Sequence, residues 1–299
     1  MIEARPIAAP ASPARFSDYL ELTKPRLSLL SVLTALAGYA AARTAHEPTR
    51  LWWLLIGSSL AAGGVAALNQ WMEVETDARM HRTAQRPIPS GKVATGSAFV
   101  LGSLMCVAAL MLLFAKVNEL SALFTLLTIV AYLGWYTPAK AKSRWSTEIG
   151  AVAGALPPLI GWSAGDDRVS ALGWILFGIL FFWQIPHFMA IAWTYRADYS
   201  AVHFPMASVR DPSGRWGAIW SFINCLGLVI VSLLPVALHL ATRWYGAAAA
   251  LGGAWVLWRG ARFLRAEGRD LAARKLFFAT IIYLPVVLLA LVADRLIFF

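Results

Sequence analysis

The residues with the clearest chemical potential lie between positions 69 and 91: Asn69, Glu73 and Asp77, followed by Arg79, Arg82 and Arg86. The first three are spaced four and four. On one helix that spacing spreads them over only about 80°, so their oxygens share a face while Glu75 points elsewhere. Three oxygen donors on one face suit Mg²⁺, a hard cation that takes carboxylates, water and substrate phosphates. Arginine forks pair with phosphate oxygens. Acids that hold a cation, with arginines close behind, form a cradle for a metal–diphosphate complex. An interfacial helix end with ordinary charge pairs would show the same pattern, and spacing alone leaves that alternative open.

The segment that must carry Asn69 is an apolar block, 51–71, long enough at about 31 Å to cross the hydrocarbon core of a bilayer. It is one of nine such blocks, at approximately 27–42, 51–71, 93–115, 119–137, 147–165, 169–195, 216–241, 244–258 and 276–293. The 299-residue chain is 59% hydrophobic and only 14% charged, against about 25% charged in soluble domains. Only helices and closed barrels satisfy their backbone in lipid, and no alternating ten-residue pattern of a barrel is present. The expected fold is an all-α polytopic membrane protein with about nine transmembrane helices. The first and eighth blocks are short for a span. The acids and arginines that could do chemistry then sit at span ends, where ionisable groups are costly and point to function.

The net charge of +10 would raise nucleic acid as a partner for a soluble protein. Here the positive-inside rule accounts for it. With the N-terminus inside, 20 of the 26 basic residues fall on the inner side, in residues 1–26 and the loops near 73–92, 138–146, 196–215 and 259–275. The asymmetry supports both the orientation and an odd number of spans. It argues for a multi-pass protein with a cytoplasmic N-terminus in a bacterial inner membrane, the mitochondrial inner membrane being the alternative. No nucleic-acid partner is expected; membrane lipid is. The two cysteines, Cys106 and Cys225, lie in apolar blocks without partner spacing and read as small buried hydrophobes. Prolines at 6, 10 and 13 break any amphipathic helix at the start, so residues 1–18 read as a disordered tail and 19–299 as one membrane domain.

Further motifs follow in order. Leu22-Thr23-Lys24-Pro25-Arg26 precedes the first block. Met80, Arg82, Thr83, Arg86 and Pro87 continue the acidic cluster. Tyr136-Thr137-Pro138 leads into Lys140, Lys142 and Arg144. Gly150, Gly154, Pro157, Pro158, Gly161 and Trp162 mark a helix of small residues and prolines. Trp183-Gln184-Ile185-Pro186-His187-Phe188 is followed by Tyr195, Arg196, Asp198 and Tyr199, then Pro205 and Met206. From about residue 20 to 206 this series resembles the UbiA-type prenyltransferases, and in particular their haem branch. Glu73 stands where the family commonly has Asp. Most members carry several aspartates near the sixth block for a second Mg²⁺; this chain keeps Asp198, with His187 near the first aspartate position.

The resemblance implies helices around a central cavity open to the inner face. It also implies transfer of the farnesyl group of farnesyl diphosphate to a vinyl group of haem b, with addition of water, giving haem O and diphosphate. Mg²⁺ is the implied cofactor, held by Asn69, Glu73, Asp77 and Asp198. Lys24, Arg26, Arg79, Arg82, Arg86, Lys140 and Arg144 are the implied diphosphate partners. Tyr136 would stabilise an allylic cation through its ring face. His187 and Arg196 are haem-side candidates, an axial nitrogen and a propionate partner, with Tyr199 a further substrate-binding residue. The next enzyme of haem A synthesis is a candidate partner. The rival readings are another acceptor, such as a quinone precursor or chlorophyllide, or a secondary transporter. A transporter commonly carries inverted repeats and midplane charges; neither is evident here.

Overall fold

The computed structural model describes residues 14–42, 47–201, 204–205 and 210–299. Arg43, His203 and Met206 fall outside them. The described residues form helices and connecting segments with no strand. The first helix, α1 (Phe16–Leu22), starts inside the segment expected as tail, and residues 1–13 of that segment lie outside the described residues.

Prolines set several helix starts, because a missing N–H costs nothing in a first turn. Pro25 opens α2 (Pro25–Ala41) and Pro48 opens α3 (Pro48–Met72). A short α4 (Val74–Arg79) follows, then α5 (Thr95–Lys116). Asn118 caps α6 (Glu119–Ile129) by accepting from the Ser121 amide at 2.7 Å. The same rod continues as a π-helical segment, Val130–Tyr136, into α7 (Thr137–Lys142). Pro157 and Pro158 lack the amides that a continuous helix needs, so the expected fifth block is split at Leu156 into α8 (Ser146–Ala155) and α9 (Pro157–Asp166). Then come α10 (Ala171–Thr194), α11 (Arg196–Ala201), α12 (Arg215–Ala237), α13 (Arg243–Leu264) and α14 (Arg269–Phe298).

Among the described residues six helical stretches are long and apolar enough to cross a membrane: Pro48–Met72, Thr95–Lys116, Glu119–Lys142, Ala171–Thr194, Arg215–Ala237 and Arg269–Phe298. The other three expected blocks are helical too but differ for physical reasons. The first has 17 residues, the fifth is broken by its prolines, and α13 carries Arg259 and Arg262 among alanines and glycines. Large apolar side chains such as Leu104, Met111, Phe114, Trp244, Leu251 and Leu289 stand more than half exposed, a surface suited to hydrocarbon rather than water.

Two packing regions result. In the N-terminal half α3 lies on α5 and α2 on α9. There the backbones touch: a Cβ on Gly161 would stand 1.7 Å from the Ala35 carbonyl, and one on Gly38 would stand 2.1 Å from that of Pro158. Parts of α2, α3, α6 and its π-helical extension, α8 and α9 enclose a cavity of about 850 Å³ including its mouth. In the C-terminal half α10, α12, α13 and α14 share a continuous core that includes Leu176, Ile179, Tyr245, Val256, Phe263, Tyr283 and Leu291.

Candidate active site

The cavity is mostly apolar. Ala35, Ala61, Ala62, Val65, Ile129, Pro157 and Ile160 contribute to its wall, and Lys24 and Tyr132 add polar atoms. Lys24 reaches it through a left-handed backbone, φ 46° and ψ 61°. A β-carbon pays for that conformation, and local backbone bonds accompany it: the Lys24 amide donates to the Glu21 carbonyl and the Lys24 carbonyl accepts from the Leu27 and Ser28 amides, each at 3.0 Å. The Lys24 Nζ donates to Asn69 Oδ1 at 3.3 Å, and Asn69 Nδ2 donates to Thr137 Oγ1 at 3.2 Å. Asn69 itself is 2% exposed.

Sequence spacing placed Asn69, Glu73 and Asp77 on one continuous helix, and here the structure corrects the expectation. The helix α3 ends at Glu73, which has φ −100° and ψ 11°, and Asp77 belongs to α4. Backbone bonds from the Glu73 amide to Asn69 (3.0 Å) and from the Asp77 amide to Glu73 (2.8 Å) still carry the chain through the break, and the three residues remain in one cluster. Glu73 accepts two bonds from Lys140 Nζ, at 2.8 and 3.1 Å. That ammonium also lies 4.7 Å from the centre of the Tyr136 ring. Asp77 Oδ2 pairs with Arg86 at 2.5 Å. The Arg86 loop is ordered by the Thr83 hydroxyl, which donates to the Asp77 carbonyl at 2.9 Å, and by fully buried Ile88, which anchors it against Leu22, Ala67 and Val93.

Three basic side chains and two carboxylates thus gather at the Lys24 end of the cavity. Burial first, then the charges of Arg86 and Lys140, hold the Lys24 ammonium down to about 7. Burial pushes the Asp77 carboxyl above its ordinary range, with Arg86 opposing. A surplus of cation over acid in a half-buried setting attracts an anion. Among the described residues no three His, Cys, Asp or Glu side chains converge to hold a metal by themselves. The residues still fit a Mg²⁺ that shares its shell with water and phosphate. Asp77 Oδ1 is buried without a hydrogen-bond partner, and the oxygen of Asn69 and the carboxylate of Glu73 belong to the same cluster.

The other sequence candidates divide. Arg82 reaches across to α11, 3.5 Å from the Tyr199 hydroxyl and 5.3 Å from the centre of the Tyr195 ring. Arg26 and Arg79 are exposed outside the ion-pair cluster, and Arg144 lies over Trp145 instead, 4.9 Å from its ring centre. Asp198 is half-buried on α11 and makes no ion pair with the described residues. Arg196 donates to the Trp193 carbonyl and pairs with Asp270 at 3.3 Å, so it ties α11 to the start of α14. His187 stacks between Trp183 and Phe277, each at 4.8 Å, with Nδ1 2.9 Å from the Thr280 hydroxyl. That hydroxyl gives its proton to the Phe277 carbonyl at 2.7 Å. The imidazole is therefore the donor at Nδ1, and Nε2 keeps a lone pair.

Sequence reasoning passed over Thr137 as a site residue, and over Tyr132, 5.0 Å from Tyr136 between ring centres. Thr137 lies in the Tyr136-Thr137-Pro138 element, where its residue type alone assigns it no role. The π-helical turn that brings Tyr132 to the cavity wall has no signature in residue types.

The UbiA prenyltransferase family profile matches residues 31–282. A protoheme IX farnesyltransferase of Opitutus terrae is 69% identical over 287 residues, covering 96% of this chain and 97% of that protein. A protoheme IX farnesyltransferase of Solibacter usitatus is 40% identical, with 93% and 98% covered. Among solved structures, a digeranylgeranylglyceryl phosphate synthase superposes with a TM-score of 0.80 at 17% identity, covering 93% of this chain and 98% of that one. A UbiA homolog from Archaeoglobus fulgidus bound to GPP and Mg²⁺ does so at 0.68 and 14% identity, covering 92% and 99%.

Proposed function

The chain belongs to the UbiA prenyltransferase family, and from that premise we infer its reaction. It is a multi-pass membrane enzyme that transfers the farnesyl group of farnesyl diphosphate to a vinyl group of haem b. Water is added, and the products are haem O and diphosphate. The observation that carries this reading is the likeness, along nearly the whole of both chains, to a protoheme IX farnesyltransferase.

The residues of the site suit the steps. Lys24, Arg86 and Lys140 bind the diphosphate and stabilise the charge it gains as the bond to farnesyl C1 breaks; Arg82 assists from the same loop. Asn69, Glu73 and Asp77 would hold Mg²⁺, which would supply neutralising charge for the leaving diphosphate. The apolar wall of the cavity shields the allylic cation from early capture by water. The Tyr136 ring, held beside Lys140, offers its face to that cation. The electrons of the haem vinyl group form the new carbon–carbon bond, and water captures the resulting cation and releases a proton.

Finer points belong to the same proposal. Nine spans cross the membrane, with α2, the α8–α9 pair and α13 joining the six longer ones. The N-terminus and the site loops face the cytoplasm in a bacterial inner membrane. His187 and Arg196 lie on the haem side, and Asp198 marks what is left of a second metal site. The next enzyme of haem A synthesis takes the product. The test is to incubate membranes containing the protein with haem b, farnesyl diphosphate and Mg²⁺ and to seek the hydroxyfarnesyl adduct by mass spectrometry. Prenylation of a quinone precursor with haem left unchanged would overturn the reading.

A further inference from the structure

We propose that Thr137 is a positioning residue for metal binding: its hydroxyl fixes which end of the Asn69 amide faces the site. This rests on the reading that Asn69 helps to hold Mg²⁺.

An amide can turn over with little change of shape, and only one of its two ends can bind a cation. Asn69 is buried, so solvent does not offer both ends a partner. On the site side Lys24 donates to Oδ1 at 3.3 Å, but an arriving anion competes for that ammonium. On the far side Nδ2 lies 3.2 Å from Thr137 Oγ1. A threonine hydroxyl has one proton, and Thr137 gives it to the Tyr132 carbonyl at 3.0 Å. Toward Asn69 it can therefore only accept, and only Nδ2 can face it. Turned over, the amide would set one acceptor against another in a buried place.

The π-helical turn makes this possible. It brings the Tyr132 carbonyl, five residues back, within reach of both the amide and the hydroxyl of Thr137. The hydroxyl is thereby committed to the carbonyl before any ligand arrives. The oxygen of Asn69 then stays toward the ion even when Lys24 turns to phosphate.

The test uses the full chain in detergent with Mn²⁺ as the probe. Free Mn²⁺ is read by electron paramagnetic resonance in the presence of a thiolo analogue of farnesyl diphosphate, with a protein-free control. Thr137→Val keeps the size and branching of the side chain and removes the hydroxyl. It should weaken Mn²⁺ binding about tenfold, the low end for loss of a group that orients a metal ligand. Thr137→Ser should restore the affinity. Asn69→Ala should weaken binding by itself, and adding Thr137→Val to it should cost nothing more, because no amide remains to be oriented. Losses that add would mean that Thr137 acts on the ion by a route other than the Asn69 amide, and that result overturns the proposal, as does full affinity in Thr137→Val or a loss of affinity matched by a fall in unfolding temperature, the mark of a purely structural tie between α3 and α7. Thr137→Ala carries the same comparison if the valine variant does not fold. Unchanged affinity in Asn69→Ala would mark failure of the metal assignment itself, and with it of this inference.

Discussion

Glu73 and Asp77 each meet the site already paired, with Lys140 and Arg86. Those pairs are half-buried or deeper, and removing one partner leaves the other charge uncompensated. Asp77→Asn and Glu73→Gln should therefore each lower the farnesylation rate roughly a hundredfold or more, measured in membranes holding equal amounts of folded protein. Glu75→Gln should be mild, because Glu75 is exposed outside the cluster. An equal loss at Glu75 and Asp77 would defeat the assignment. At this scale the sequence was readable where spacing is local. Four-residue steps brought Asn69, Glu73 and Asp77 together, even though the helix they were expected to share breaks at Glu73. It was less readable over distance. Lys24 lies 45 residues from Asn69, and Lys140 lies 67 from Glu73, so only the family resemblance pointed to them. Arg26, Arg79 and Arg144 have the right chemistry and neighbourhood, yet they are exposed outside the cluster, since residue type does not encode the direction of a side chain.

The elements around the site are interrupted helices, and each interruption has a job. The proline break at Leu156 turns the wall of the cavity, the π-helical turn aims Tyr132 and Thr137, and the end of α3 at Glu73 lets the Arg86 loop fold back over Asp77. The proline break could be anticipated from Pro157 and Pro158. The other two could not, because no residue there forbids a regular helix; tertiary packing selects the irregular one. The close contact of α2 on α9 depends on Gly161 in the same way. Gly161→Ala places a methyl group against the Ala35 backbone, where nothing flexible can yield, and should destabilise the protein by about 1–3 kcal/mol while displacing a wall of the cavity. Gly217 on α12 has open space around it, so Gly217→Ala should be neutral or stabilise by up to about 1 kcal/mol through helix propensity. Thermal unfolding of the two variants in one detergent checks both signs. A stable Gly161→Ala variant would show that α2 and α9 are free to move apart.

For the whole molecule, the charge asymmetry predicts an orientation that labelling can test: single cysteines placed in the loops at 73–92, 138–146, 196–215 and 259–275 should resist an impermeant thiol reagent added to intact cells, and rapid labelling of the first of these would reverse the topology. The two packing regions suggest a division of labour as well. Arg86 belongs to the ion-pair cluster at the Lys24 end of the cavity, in the half built from α2, α3 and α9. His187 belongs to the contact of α10 with α14, held by Thr280 and stacked between Trp183 and Phe277. Its Nδ1 proton is committed to Thr280, so the nitrogen with a free lone pair is Nε2, the form of imidazole that binds iron. His187→Ala should therefore lose haem affinity, read by a spectral titration, and keep Mg²⁺-dependent binding of a farnesyl diphosphate analogue. Arg86→Ala should do the reverse, because it removes a fork from the diphosphate and leaves the α10–α14 contact intact. If His187 serves only to join the two helices, its loss should lower the unfolding temperature and weaken both ligands together; equal loss of both ligands in both variants, at unchanged folding, would show that haem and diphosphate do not occupy separate sides of the molecule.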